Sequence, residues 1–252
     1  MPLSSSIAGG VAEVVMCSPP VNALDVAGWH ELARTLRSLG DDPAVRAVVL
    51  AADGKGFNAG VDIKEMQRTP GHEALLGANR GCFAAFAAVY ECAVPVIAAV
   101  HGYCLGGGIG LVGNADVIVA SRDATFGLPE VDRGALGAAT HLARLVPQHK
   151  MRAMVFTAAM ATAEELHRYG SVLEVVERDE LRPAARRIAE KIATKSPSVI
   201  RAAKQCLNGI DPVDVKKSYR FEQGFTFELN LSGVADEARS AFVEKRDAKF
   251  SR

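Results

Sequence analysis

Apolar residues recur along this chain in two rhythms. Continuous apolar runs bounded by turn residues occur at Ala47–Ala51 (AVVLA), Val94–Val100 (VPVIAAV) and Asp116–Ser121 (DVIVAS). Such runs predict strands buried on both faces, as in parallel sheets covered by helices. Gly10–Cys17, closed by Ser18-Pro19-Pro20, predicts another strand ending in a turn. Between the strands the spacing is helical. Trp29, Leu32, Leu36 and Leu39 predict a helix from Val26 to about Leu39, capped by Asn22 or Asp25, and a longer helix spans Gly71 to about Ala93 with Phe83, Phe86, Val89 and Tyr90. After Pro147 the pattern is mostly helical: His149–Met160, Thr162–Tyr169, Leu181–Ala193, Val199–Leu207 and a long segment from Val213 to about Arg252, with a short strand at Val172–Val176. Ser196-Pro197 is the best boundary. It divides an α/β core (1–195) from a helical C-terminal region (196–252).

Two strand-to-helix junctions are rich in glycine, Gly56–Asp62 (GFNAGVD) and Gly106–Gly113 (GGGIGLVG), and a third loop carries Gly127-Leu128-Pro129-Glu130. Glycine lets a ligand approach the backbone, and the first turn of a helix offers N–H groups without an intrahelical partner. Junctions of this kind on one parallel sheet gather at the carboxyl edge of the strands, where open α/β sheets bind ligands. Paired N–H donors beside a carboxylate suit a reaction through an oxyanion or enolate, each fixed donor contributing about 3 to 4 kcal/mol. Gly108–Gly113 also matches the dinucleotide pattern G-x-G-x-x-G, with Asp132 about twenty residues beyond. That match is weak. With 23 glycines in 252 residues, roughly 0.2 such patterns arise by chance, and about seven residues separate this one from the strand it should follow.

Composition narrows the field. The chain has 252 residues, 49 % of them hydrophobic, enough for a sizeable core, and its 29 basic and 29 acidic residues balance. Balanced charge argues against nucleic acid or an anionic membrane as partner. The five cysteines include no C-x-x-C pair, and their odd number fits free thiols in a reducing compartment. The N-terminus, MPLSSSIAGG, lacks a basic, apolar leader, and no apolar run reaches about 18 residues unbroken. A soluble cytoplasmic protein is expected.

The segments FNAGVDIKEM (Phe57–Met66), PVIAAVHGYCLGGGIGL (Pro95–Leu111), ADVIVAS with ATFGLPEV (Ala115–Val131) and SAFVEKRDAKF (Ser240–Phe250) resemble the crotonase, or enoyl-CoA hydratase/isomerase, superfamily. The resemblance runs nearly the whole chain, in order. It implies an α/β crotonase fold, a β-β-α spiral core with a helical C-terminal trimerisation region, assembled as a homotrimer or a dimer of trimers. It implies an acyl-CoA thioester as substrate, with coenzyme A part of that substrate and no separate cofactor or metal. Carried over, the oxyanion hole falls on the backbone N–H groups of Val61 and Gly107. Coenzyme A binding falls on Val21, Ala59, Asp62, Ile63 and Lys64, and on Phe242 and Lys245, positions that reach a neighbouring subunit's nucleotide in the family.

One departure matters more than the matches. Hydratases of the family carry two catalytic glutamates. The second is present here as Glu130, and the first position is Gly110. Adding water to a double bond takes two carboxylates, so efficient hydration is not expected. Glu130 and Asp132, if both face the cavity, supply a base and a water-positioning group, while Asp132 and Arg133 could instead form a surface ion pair. His141 and His101 read as structural. Gly110 reads as room in the acyl pocket. The segments GFNAGVDIKEMQ, ANRGCFAAFAAVYECAVPVIAAV and GLPEVDRGALGAATHLARLVPQH resemble more closely the crotonase-fold hydrolases that open the last steroid rings as a bicyclic indene-carboxyl-CoA dione. The implied activity is hydrolytic C–C ring opening of a cyclic keto-acyl-CoA. Two alternatives stand beside it: an enoyl-CoA hydratase or isomerase of lipid metabolism, and a non-catalytic CoA-binding protein.

Overall fold

The computed structural model describes residues 3–69 and 71–249. Phe250, the end of the matched C-terminal segment, lies outside the described residues. Strands β1 (Leu3–Ala8) and β2 (Val11–Met16) form a hairpin across Gly9 and Gly10, whose positive φ angles of 61° and 80° suit a tight two-residue turn. Helix α1 (Val26–Asp41) begins at Asp25, whose carboxylate accepts the Gly28 N–H at 2.7 Å. Of the two candidate caps, Asp25 holds the position, and Asn22 is used elsewhere.

The chain continues through β3 (Ala47–Ala52), α2 (Ile63–Arg68), α3 (Glu73–Tyr90), β4 (Val96–Val100), β5 (Tyr103–Leu105), α4 (Gly107–Val112), β6 (Val117–Ser121) and β7 (Thr125–Gly127). A 3₁₀ turn at Pro129–Arg133 leads to α5 (Ala139–Leu142), α6 (Gln148–Thr157), β8 (Met160–Thr162), α7 (Ala163–Arg168), β9 (Glu174–Val176) and α8 (Leu181–Ala193). Three helices close the chain: α9 (Pro197–Gly209), α10 (Val215–Leu231) and α11 (Val234–Glu244). The first sheet runs β1-β2-β3-β4-β6-β9 and is parallel apart from the hairpin. A smaller sheet, β5-β7-β8, lies beside it. β4 steps to β5 and then α4, and β6 steps to β7 and then the 3₁₀ turn. This is the β-β-α spiral.

Alternation along the strands explains the layers. Val48, Leu50, Val96 and Ala98 face a large core with α1, α3 and α4, whereas Val49, Ala51, Ile97 and Val119 face α8. α8 answers with Leu181, Ala184, Ala185 and Ala189, small residues that let it lie close to the sheet. α1 and α3 also pack closely. A Cβ at Gly81 would fall 2.8 Å from the Trp29 Cβ, so the glycine is what admits the indole.

The C-terminal segment is not one helix. Gly233, at φ 79°, breaks it between α10 and α11. Both helices turn back on their own chain, α10 onto α3 and α5 and α11 onto the Pro129–Arg133 turn. Among the described residues no helix is long and apolar enough to cross a membrane. The α1–α3 contact yields a first prediction. Gly81→Leu overpacks Trp29 and lowers stability by about 1 to 3 kcal/mol, read as a lower denaturation midpoint, and an unchanged midpoint contradicts the packing described.

Candidate active site

The loop after β3 is held by a pair of buried asparagines. Asn22, at φ 54°, accepts the Ser18 N–H at 2.7 Å and donates to the carbonyls of Asp53 (2.6 Å) and Gly56 (2.8 Å). Asn58 donates to the Asn22 carbonyl at 2.6 Å and accepts the Gly60 N–H at 2.8 Å. Its backbone joins β5, accepting the Leu105 N–H at 2.9 Å. Leu24 then clamps the next turn: its N–H donates to the Gly60 carbonyl and its carbonyl accepts the Asp62 N–H, both at 3.0 Å. The bonds flank Val61 on both sides and leave its own N–H out.

Gly60, at φ 86°, brings this loop against α4, where a Cβ on it would sit 3.1 Å from the Gly107 nitrogen. Among the backbone hydrogen bonds of the described residues, neither the Val61 nor the Gly107 N–H has an acceptor. For Gly107 the cause is its place in the first turn of a helix. Both residues line a cavity of about 400 Å³ bounded by the two glycine loops, α3, α10 and α11.

Glu130 enters the cavity from the 3₁₀ turn. A Cβ on Gly106, itself at φ 54°, would lie 2.5 Å from Glu130 Oε1, so the carboxyl rests directly against the glycine backbone. Oε2 is buried with no partner. Burial pushes the carboxyl up to about 8; a bond from its own backbone N–H and the Arg133 charge pull the other way, and Glu222 adds to the rise. At neutral pH Glu130 is therefore an uncharged acid.

Of the other residues expected at the site, Val21, Ala59, Asp62, Ile63, Lys64 and Phe242 line this cavity. Asp62 has a structural task as well, capping α2 through the Lys64 N–H at 2.9 Å. Lys245 ends α11 in a left-handed conformation and lies outside the lining, and Phe242 faces the cavity of its own chain. Asp132 is exposed and away from the cavity. The 3₁₀ turn explains this: at three residues per turn Glu130 and Arg133 share a face, and Val131 and Asp132 between them point elsewhere. Asp132 and Arg133 form no ion pair. Arg133 turns inward, donating to the Pro129 carbonyl at 2.9 Å with its guanidinium 4.1 Å from the Phe242 ring centroid.

Gly110 corrects an expectation. It adds no room, because a Cβ there would fall 2.1 Å from Phe86 Cζ, in space the ring already fills. Phe86 reaches across from α3, packs edge-on to Trp29 at 5.7 Å and itself lines the cavity. His141 lies behind it in the core, 5.1 Å from the Phe86 ring, with its Nδ1 3.0 Å from the Asn114 amide. Burial and the Arg144 charge hold its imidazole down to about 3, hence neutral. His101 approaches the Gly54 carbonyl at 3.2 Å. Neither histidine lines the cavity. Leu75, Asn79, Cys82 and Phe86 form a stripe on α3 that lines the cavity, and α10 adds Tyr219, Thr226 and Asn230. The α3 stripe is legible as helical spacing, although nothing in it separates a cavity wall from ordinary core.

Residues 6–252 match the Enoyl-CoA hydratase/isomerase family. The chain belongs to this family. It is 65% identical over 246 residues to a Mycobacterium tuberculosis protein named (7aS)-7a-methyl-1,5-dioxo-2,3,5,6,7,7a-hexahydro-1H-indene-carboxyl-CoA hydrolase, covering 97% of this chain and 100% of that one. A Rhodococcus jostii protein of the same name is 64% identical, covering 96% and 93%. Among solved structures, an enoyl-CoA hydratase/isomerase from Pseudoalteromonas atlantica superposes with a TM-score of 0.88 at 27% identity, covering 100% of both chains. In this enoyl-CoA hydratase/isomerase family member the G-x-G-x-x-G pattern begins inside α4, not in the turn after a strand, as a dinucleotide site needs.

The Phe86 contact is testable. Gly110→Glu, which restores the glutamate that hydratases carry, collides with the ring; the variant loses about 1 to 3 kcal/mol of stability and gains no hydratase activity. Hydration of a straight-chain enoyl-CoA by a stable variant contradicts this packing.

Proposed function

We propose that this chain hydrolyses a ring C–C bond of a cyclic keto-acyl-CoA, a step of steroid breakdown. The observation that carries the reading is the pairing, in one cavity, of two unpaired N–H donors with one buried carboxylic acid, Glu130. The acyl group is argued from the two relatives at 64% and 65% identity, both named as hydrolases of a bicyclic dione thioester.

In this reading the thioester oxygen accepts hydrogen bonds from the Val61 and Gly107 N–H groups, with the pantetheine arm along Ala59, Asp62 and Ile63. The ionised Glu130 takes a proton as water adds to the ring ketone. The adjacent C–C bond breaks, and its electron pair passes through the conjugated ring into the thioester, whose oxygen the two donors hold. Glu130 returns the proton to carbon. One water is consumed and one carboxylic acid is formed. A carboxyl whose affinity for protons lies near neutrality suits both transfers.

The reading extends to a cytoplasmic homotrimer or dimer of trimers. Supporting it, α10 leaves Phe221 and Leu231 exposed, α9 does the same with Val199 and Leu207, and the cysteines are free. Enoyl-CoA isomerisation is a second reading, favoured by the single carboxylate, which shuttles one proton without needing a partner.

The deciding experiment incubates the purified protein with the bicyclic dione-CoA and, in parallel, straight-chain enoyl-CoA thioesters. Mass spectrometry should show a ring-opened acid heavier by one water. Turnover of the linear thioesters alone supports isomerase or hydratase chemistry instead, and tight binding without turnover supports a CoA-binding protein. For the ring opening, kcat/KM rises with pH through about 8 as free Glu130 ionises. Glu130→Gln removes that rise and lowers the rate by about 10² to 10⁴.

A further inference from the structure

We propose that Arg133 is the receptor for the carboxylate that ring opening creates, an anion site separate from the pair of N–H groups that hold the thioester oxygen. The inference rests on the ring-opening reading above. Arg133 and Glu130 leave the same face of one 3₁₀ turn and line the same cavity. The Arg133 guanidinium is already oriented, by its bond to the Pro129 carbonyl and by the Phe242 ring. Yet among the described residues it has no carboxylate within ion-pair distance.

The other charges of the cavity wall are accounted for differently. Asp62 caps α2 and faces Arg68 at 3.8 Å. Arg239 donates to Asn230 Oδ1 at 2.5 Å and pairs with Asp236. Lys64 sits on the exposed side, where water solvates it. Arg133 is thus a fixed guanidinium, half-buried, with fork N–H groups left for a planar anion.

The proposed reaction produces such an anion. Its ring ketone is neutral; once water has added and the C–C bond has broken, that carbon is a carboxylate. The charge therefore appears during the reaction, three residues along the turn from the group that moves the proton. A guanidinium waiting there binds the developing oxyanion better than the starting ketone, the condition under which binding accelerates a reaction.

Calorimetry with two unreactive probes tests this: a saturated cyclohexanecarbonyl-CoA thioester bearing a carboxyethyl arm, and its methyl ester. The wild-type protein should bind the acid about 10- to 100-fold more tightly than the ester, the range for a charge-assisted hydrogen bond. Arg133→Gln removes the guanidinium and should bring that ratio close to one, and Arg133→Lys should keep part of it. Equal wild-type binding of acid and ester overturns the proposal, as does a ratio that survives in Arg133→Gln. Should Arg133→Gln lose ester binding too, through Phe242, the wild-type ratio and the Lys variant still decide. A residue that only tunes Glu130 would shift the pH profile and leave the ratio alone. Failure of the bicyclic dione to react refutes the ring-opening reading and leaves the acid-to-ester ratio to judge Arg133 by itself.

Discussion

Two buried asparagines hold the site open. Asn58 binds the Asn22 carbonyl on one side and the Gly60 N–H on the other, and Asn22 ties the same loop to Asp53 and Gly56. Buried amides are costly unless satisfied, so once paired they fix a single loop path. That path leaves the Val61 N–H unpaired and sets Gly60 against Gly107. Neither donor is free because its loop is loose. Val61 is free because the bonds of Gly60 and Asp62 to Leu24 flank it, and Gly107 because it opens a helix.

The same economy of space governs the acid. Glu130 lies against the Gly106 backbone in a wall that carries Phe86, Cys82 and Tyr219, all apolar or uncharged at neutral pH. Desolvation there keeps the carboxyl protonated near pH 7 and makes it a strong base once ionised. Burial likewise pushes up the Cys82 thiol, with Glu130 adding to the rise, so this cysteine is an uncharged part of the wall at neutral pH. Phe86 fills the space that a side chain at Gly110 would need and adds an aromatic ring to the cavity wall.

Much of this was legible in the sequence, and the failures have physical causes. Unbroken apolar runs marked β3, β4 and β6 because both faces of a parallel sheet are covered. The three-residue strands β5, β7 and β8 left no periodic trace, being too short to show alternation. The break at Gly233 was hidden by helical spacing on either side. Val61, Gly107 and Glu130 could be placed by motif, since backbone donors depend on loop path and not on side-chain identity. The meaning of Gly110 could not. A missing side chain reads as empty space until the ring that fills it, 24 positions earlier on another helix, is brought across by the fold. Asp132 leaves the cavity for a local reason: two residues beyond Glu130 on a 3₁₀ turn, its side chain points about 120° away from the Glu130 face.

The proposed function turns on whether the two unpaired N–H groups bind one thioester oxygen. A crystal structure of the protein with an unreactive acyl-CoA thioester tests it most directly. The account predicts the thioester oxygen about 2.7 to 3.1 Å from both the Val61 and Gly107 nitrogens, with Glu130 facing the acyl group. A thioester oxygen bound away from that pair, or to only one of them, contradicts it.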